Sequence, residues 1–138
     1  MADASRFIRE VRIPSDTAAG LQLQEEILEE LRRNRFDEKA IFGIRLAVEE
    51  ALINAIKHGN KLDPDKYVSV RYTIDDEHFL IEIEDEGPGF NPGGIPDPTA
   101  PENLERPSGR GLLLMRAYMT DCEFRERGNV CRMRRVRG

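Results

Sequence analysis

Residues 49–59 read Glu49-Glu50-Ala51-Leu52-Ile53-Asn54-Ala55-Ile56-Lys57-His58-Gly59, the end of the strongest helical pattern in the chain. Ile41, Ile44, Val48, Leu52 and Ile56 recur at three- and four-residue spacing, the period of an amphipathic helix. Asp37 can cap its start and Gly59 can stop it, so the spacing predicts one helix from Asp37 to Gly59. The four-residue step from Glu50 to Asn54 puts a carboxylate and an amide on one helical face. Taken alone, such a pair is more at home on a solvated surface than in a site.

Upstream, Phe7, Val11 and Ile13 keep period-two phase around Arg9 until Pro14, which reads as a first strand. Ser15 is the expected cap of a helix ending near Asn34, with Leu21, Leu23, Ile27, Leu28 and Leu31 as its apolar stripe. Downstream, Val68, Val70, Tyr72 and Ile74 alternate with polar residues, Asp75-Asp76 turns the chain, and Phe79, Ile81 and Ile83 resume the alternation as a hairpin. From Gly87 to Arg110 the chain is crowded with Gly, Pro, Asn and Asp, a long irregular loop of the kind that carries function or moves. Leu112 to Met119 has helical composition. Cys122–Arg127 and Val130–Val136 flank Gly128-Asn129 as a second hairpin. The order β-α-α-β-β-loop-α-β-β predicts an α+β fold: a two-layer sandwich with a mixed, mostly antiparallel sheet and helices on one face.

The 138 residues suit one domain, residues 1–138, with no internal repeat or linker. Charged residues at 34 % and apolar residues at 39 % match a globular protein, and no apolar run approaches a membrane span. The start of the chain has no signal-peptide core, so a cytoplasmic location is expected. A net charge of −5 argues against direct nucleic-acid binding, although Arg125, Arg127, Arg132, Arg134, Arg135 and Arg137 make the last segment locally basic. A charged, soluble edge strand is the simpler reading of that segment. Cys122 and Cys131 lack metal-site spacing and read as buried free thiols.

Asp85 continues the phase of Phe79, Ile81 and Ile83, which directs a carboxylate toward the core side. A buried charge needs a partner, from the protein or from a ligand. Asp85 could simply cap the following turn, but Gly87-Pro88-Gly89-Phe90 permits close backbone approach to a planar ligand. Ser108-Gly109-Arg110-Gly111-Leu112 then sets glycines before a helix whose N-terminal N–H groups and dipole can receive phosphate; a flexible hinge is the plainer alternative.

Taken in order, these three elements resemble the GHKL ATPase superfamily, which includes gyrase, heat-shock chaperone ATPases and histidine kinases. Glu50-Ala-Leu-Ile-Asn54-Ala is similar to its N box, Asp85-Glu-Gly87-Pro-Gly89 to its G1 box and Gly109-Arg-Gly111 to its G2 box. The compact branch of bacterial anti-sigma-factor serine kinases fits best, with Glu-x-x-x-Asn-Ala-x-x-His-Gly, Asp-x-Gly-x-Gly-Phe and Gly-Arg-Gly-Leu all present. The resemblance implies a Bergerat-type, histidine-kinase-like ATPase fold with ATP and Mg²⁺ as cofactors. It implies that Asn54 ligates Mg²⁺, that Asp85 accepts from the adenine amino group, and that Gly87 and Gly89 shape the adenine pocket. Gly109, Arg110 and Gly111 would meet the phosphates, and Glu50 matches the general base. Lys57 fits a phosphate-contacting position; Lys57 and Arg106 are equally readable as solvated charges.

The function so implied is a serine/threonine protein kinase that acts as an anti-sigma factor. Its partners would be a sigma factor and a small anti-anti-sigma-like antagonist, which it phosphorylates, and it would be a homodimer. The alternative is a noncatalytic ATP-binding switch that orders its loop around nucleotide. A histidine-kinase catalytic domain is disfavoured, since no dimerisation helix bearing a phosphoacceptor His is present in the sequence.

Overall fold

The computed structural model describes residues 7–87, 109–125 and 129–137. Most of the irregular loop expected from Gly87 to Arg110, residues 88–108, lies outside them, and with it Gly89 and Arg106. Strand β1 (Phe7–Pro14) leads into α1 (Thr17–Arg33) and α2 (Glu38–Ile53), which continues as a π-helical turn over Asn54–Gly59. Strands β2 (Tyr67–Ile74) and β3 (His78–Glu84) follow, then α3 (Gly109–Tyr118), β4 (Asp121–Arg125) and β5 (Val130–Val136).

The five strands form one sheet in the order β1-β2-β3-β5-β4, and every pairing is antiparallel. The period-two pattern explains its two faces. Val70 opposes Ile83, Tyr72 opposes Ile81, and Ile81 and Ile83 in turn oppose Met133 and Cys131. These side chains are buried against the apolar stripes of the helices: Leu23, Ile27 and Leu31 of α1, Ile44, Val48 and Leu52 of α2, and Leu112 and Met115 of α3. The intervening residues line the other face, where Glu10, Arg71, Glu82, Arg132 and Glu123 stand opposite one another across all five strands. Their charges alternate, with ion pairs of 3.6 Å (Arg71–Glu10), 3.5 Å (Arg132–Glu82) and 3.7 Å (Arg132–Glu123). Opposite charges directly across a sheet support register, while exposure keeps each pair weak.

The expected two-layer α+β architecture is thus present. Three local expectations change. Asp16, not Ser15, caps α1, accepting from the N–H of Ala18 at 3.0 Å. Ser15 is buried and donates instead to the Lys66 carbonyl at 2.8 Å, a tertiary bond that removes it from capping. The α-helix predicted to run to Gly59 stops at Ile53 and widens into the π turn. The third helix begins at Gly109, so Gly109 and Gly111 lie in its first turn rather than before it. Asp37 caps α2 as expected, accepting from Ala40 N–H at 2.7 Å. No helix among the described residues is long and apolar enough to cross a membrane.

Candidate functional site

The site grows from the C-terminal end of α2. Within the π turn, Asn60 N–H reaches back five residues to the Ala55 carbonyl at 2.9 Å, and Leu62 N–H reaches six to Ile56 at 2.9 Å. Such single π turns inside α-helices recur at functional sites, because the extra residue per turn re-aims the side chains that follow. The chain leaves through Lys61 and Leu62, both left-handed at φ 55° and 60°. Two non-glycine residues in that region cost of order 1–3 kcal/mol each and persist only where the surroundings hold them.

Asn60 is what holds them. Fully buried, it donates from Nδ2 to Ser15 Oγ at 2.9 Å and to the Tyr67 carbonyl at 3.0 Å, while Oδ1 accepts from Glu86 N–H at 2.7 Å. Glu86 in turn accepts from Tyr67 N–H at 2.6 Å. One amide therefore ties the exit of the helix, the starts of α1 and β2, and the residue after Asp85. From the other side, Asp85 N–H donates to the Asn129 carbonyl at 3.0 Å and Asn129 Nδ2 donates to the Asp85 carbonyl at 3.1 Å. The backbone of Asp85 is clamped by both neighbours.

Its carboxylate is positioned by two glycines. Gly87 N–H donates to Asp85 Oδ1 at 2.8 Å, the local turn that Asp favours. A β-carbon on Gly59 would run into the Asp85 carboxylate, with Oδ1 at 2.7 Å. One on Gly87 would run into the Gly59 carbonyl. The end of the Glu50–Gly59 stretch and the Asp85–Gly87 turn, 26 residues apart in sequence, thus meet with no room for a side chain between them.

Glu50 and Asn54 lie one turn apart on α2 and are both half-buried; Asn54 N–H bonds the Glu50 carbonyl. Asn54 Nδ2 is buried with no hydrogen-bond partner among the described residues. Which end of an amide is N and which is O follows from the partners assigned to it, so this is unspent capacity of the amide as a whole. Asn129 Oδ1 is the other buried side-chain atom without a partner among the described residues. Buried polar groups in folded proteins are overwhelmingly paired, so two unpartnered amide atoms, one on the first residue of the turn that ends at Gly59 and one on the residue bonded to the Asp85 backbone, fit a site that receives a polar ligand. A cation held by one amide oxygen and by ligand phosphates needs no cluster of protein carboxylates. Among the described residues no group of three or more metal-capable side chains occurs.

The other expected site residues divide. Lys57 is exposed and lines a groove of about 530 Å³ between α1 and α2, with Gln24, Arg45, Glu49 and Ile53. It stands with Glu49, which accepts from Gln24 Nε2 at 3.3 Å, rather than with the Glu50–Asn54 line. Gly109 to Gly111 open α3, whose N-terminal dipole end favours anions, and α3 packs on α2. Of Arg110 only the backbone is described. Sequence reading missed Asn60 and Asn129. Asn129 had no local signal, since only the β3–β5 register, which pairs Glu84 with Val130, sets it beside Asp85, 44 residues away in sequence. Asn60 had none either, since its partners lie up to 45 residues away.

Residues 13–135 match the histidine kinase-like ATPase domain family. Among individual proteins, the chain is 29 % identical over 104 residues to the serine-protein kinase RsbW of Oceanobacillus iheyensis, covering 71 % of this chain and 66 % of that one. It is 35 % identical over 100 residues to the anti-sigma F factor of Heyndrickxia coagulans (67 % of each), and 37 % over 83 residues to that of Clostridium perfringens strain SM101 (58 % and 59 %). The matches thus span between 59 % and 67 % of these relatives' lengths. The fold is similar, at a TM-score of 0.62 and 16 % identity, to a crystal structure of the RsbU and RsbW domains of a Mycobacterium tuberculosis protein, covering 94 % of this chain and 32 % of that one. The resemblance read from the three glycine- and Asn-bearing motifs is borne out: this chain belongs to the histidine kinase-like ATPase domain family.

Proposed function

We propose that the chain binds Mg-ATP in the cradle formed by Asn54, Gly59, Asp85 and Gly87 and transfers the γ-phosphoryl group to a serine of a partner protein. The observation that carries this reading is the close approach of Gly59 to the Asp85 carboxylate, which supports a single pocket built from the end of α2 and the turn after β3. The relatives' names support the rest: a serine-protein kinase and anti-sigma factors. The proposed partners are accordingly a sigma factor and a small antagonist protein that is phosphorylated, with the chain acting as a cytoplasmic homodimer.

In this reading Asp85 accepts a hydrogen bond from the adenine amino group, and Gly59 and Gly87 keep that face free of side chains. Asn54 offers its amide oxygen to the cation, a hard ion that takes oxygen ligands. Mg-ATP supplies the transferable phosphoryl group and a charge that offsets it. The first turn of α3, which holds Gly109, Arg110 and Gly111, meets the phosphate oxygens. Glu50, one helical turn from Asn54, orients the serine hydroxyl and takes its proton.

The test is phosphoryl transfer to candidate antagonist proteins, read as phosphoserine by mass spectrometry at saturating ATP. Glu50→Ala should keep ATP binding and lose about 10²- to 10⁴-fold in rate, the usual loss on removing a general base. Equal rates in both proteins would remove Glu50 from that role. A wild-type protein that binds ATP and partners yet never transfers phosphate would replace the kinase by a nucleotide-ordered switch.

A further inference from the structure

The groove between α1 and α2 plays no part in nucleotide binding as proposed above, although Lys57 lines it. Its floor is apolar, made by the buried Leu52 of α2 and Ile56 of the π turn. Gly20 lets α1 settle onto that floor, since a β-carbon there would stand 2.8 Å from Ile56 Cδ1. The walls carry Leu21 of α1 and the half-buried Ile53 of α2. Leu21, expected in the buried stripe of α1, is 56 % exposed. Apolar side chains gathered at a groove and rimmed by charge mark a surface that another chain covers.

The rim supplies that charge with one sign uncompensated. Arg45 and Lys57 line the groove twelve residues apart, a span of about 18 Å at 1.5 Å per residue. Both are exposed, and neither has an ion pair or side-chain hydrogen bond among the described residues. The carboxylate between them, Glu49, is already engaged by Gln24 Nε2 at 3.3 Å. In a chain whose net charge is −5, the groove thus keeps two cations that the chain itself does not neutralise. A second copy docking through the same groove would set like charges together, whereas an acidic segment supplies the missing partners.

We propose that this groove docks the small antagonist protein through an acidic segment: an apolar side chain seats between Leu21 and Ile53, and carboxylates on either side of it pair with Arg45 and Lys57. This docking presupposes the phosphoryl-transfer reading above and adds where the protein substrate is held. Glu50 and Asn54 directly follow Glu49 and Ile53 in the chain, so a serine beside the docked segment can reach Glu50. Lys57 then acts on the protein substrate rather than on phosphate. Opposite charges steer the encounter, and added salt weakens them.

The test compares steady-state phosphoryl transfer by the full chain and by its Leu21→Asp and Arg45→Glu variants at saturating ATP, with the candidate antagonist proteins as substrates. Both positions are exposed, so a charge at either leaves folding intact. Each variant should raise KM for the antagonist about 10-fold or more, with kcat within about twofold and ATP affinity at the wild-type value, the mark of lost substrate binding. Arg45→Lys should keep the wild-type KM, and added salt should raise KM of the wild type more than that of Arg45→Glu. An unchanged KM in both variants, a fall in kcat alone, weaker binding of a sigma factor alone, or loss of a dimer of the chain in sedimentation would each overturn the proposal. If the wild type binds the antagonist without transferring phosphate, the kinase reading falls, and calorimetric Kd across the same variants decides the groove in place of KM. A wild type that neither binds nor phosphorylates an antagonist removes both.

Discussion

The two ends of β3 use similar polar residues to opposite ends. At the His78 end, Asp75 Oδ1 accepts from the N–H groups of Glu77 and His78, each at 2.8 Å, and contacts His78 Nδ1 at 2.9 Å. Arg137 spreads its guanidinium over the carbonyls of Asn34, Arg35, Asp75 and Asp76 at 2.9–3.1 Å and lies 3.9 Å from the centre of the Phe36 ring. It thereby joins the α1–α2 turn to the β2–β3 hairpin. At the Asp85 end, the backbone is clamped just as firmly by Asn60 and Asn129, yet two buried amide atoms, Asn54 Nδ2 and Asn129 Oδ1, have no partner among the described residues. One end is saturated by the chain itself; the other keeps capacity in reserve beside the close approach of Gly59 and Gly87 to each other and to the Asp85 carboxylate. Folding alone favours the first arrangement, because an unpaired buried polar group costs about 1–3 kcal/mol.

The sharpest way to break this contrast is Gly59→Ala. Its methyl group would occupy the space of the Asp85 carboxylate, so ATP affinity should fall about 100-fold, ~2.8 kcal/mol, with some loss of stability from overpacking. Calorimetry giving wild-type affinity would mean that the carboxylate can yield and that the close approach is not required. Asn54→Ala should come next, lowering nucleotide affinity about 10- to 100-fold with Mg²⁺ present and much less without it. Equal losses in both conditions would give Asn54 a structural role and take it out of the contrast.

The Arg137 end should respond in the opposite currency. Arg137→Ala is expected to lower the unfolding free energy by about 2 kcal/mol, discounted for its partial exposure, with ATP affinity unchanged. Weakened ATP binding at unchanged stability in a denaturant titration would merge the two ends. The smallest effect is acid sensitivity at Asp75. Burial alone would raise its pKa, but the backbone bonds from His78 and Glu77, and then the His78 ring, outweigh it and leave it lowered. A carboxylate lowered on folding adds stability that is fully present above its unfolded pKa and disappears as pH falls through the folded one. Below about pH 4 the wild type should therefore lose stability more steeply than Asp75→Asn. Parallel curves would show that the hairpin turn does not depend on that charge.

The same contrast explains what was legible in the sequence. Phe79, Ile81 and Ile83 announced β3 and its buried face because alternation is a local signal, and Asp37 announced the start of α2 because its cap bond spans three residues. The motifs around Asn54, Asp85 and Gly109 pointed to the family because their order is rare, although each alone was weak. Ser15 misled because Ser15 and Asp16 can both cap, and only the folded chain shows Ser15 engaged by Lys66 and Asn60. The π turn was equally hidden, since an α-helix and a π turn share one apolar pattern and the choice follows from the docking of Asn60 and Gly59. Asn60 itself carries no local signature; its work is done across distances that only tertiary structure closes.

The central claim, that the glycine-held Asp85 carboxylate is the acceptor for adenine, is tested most directly by calorimetric titration of ATP into wild-type and Asp85→Asn protein. The variant should fold with its unfolding midpoint near the wild type and bind ATP about 100-fold more weakly, because the amide can present NH₂ to an amino group and loses the charge-assisted acceptor. Wild-type ATP affinity in a folded Asp85→Asn protein would contradict it.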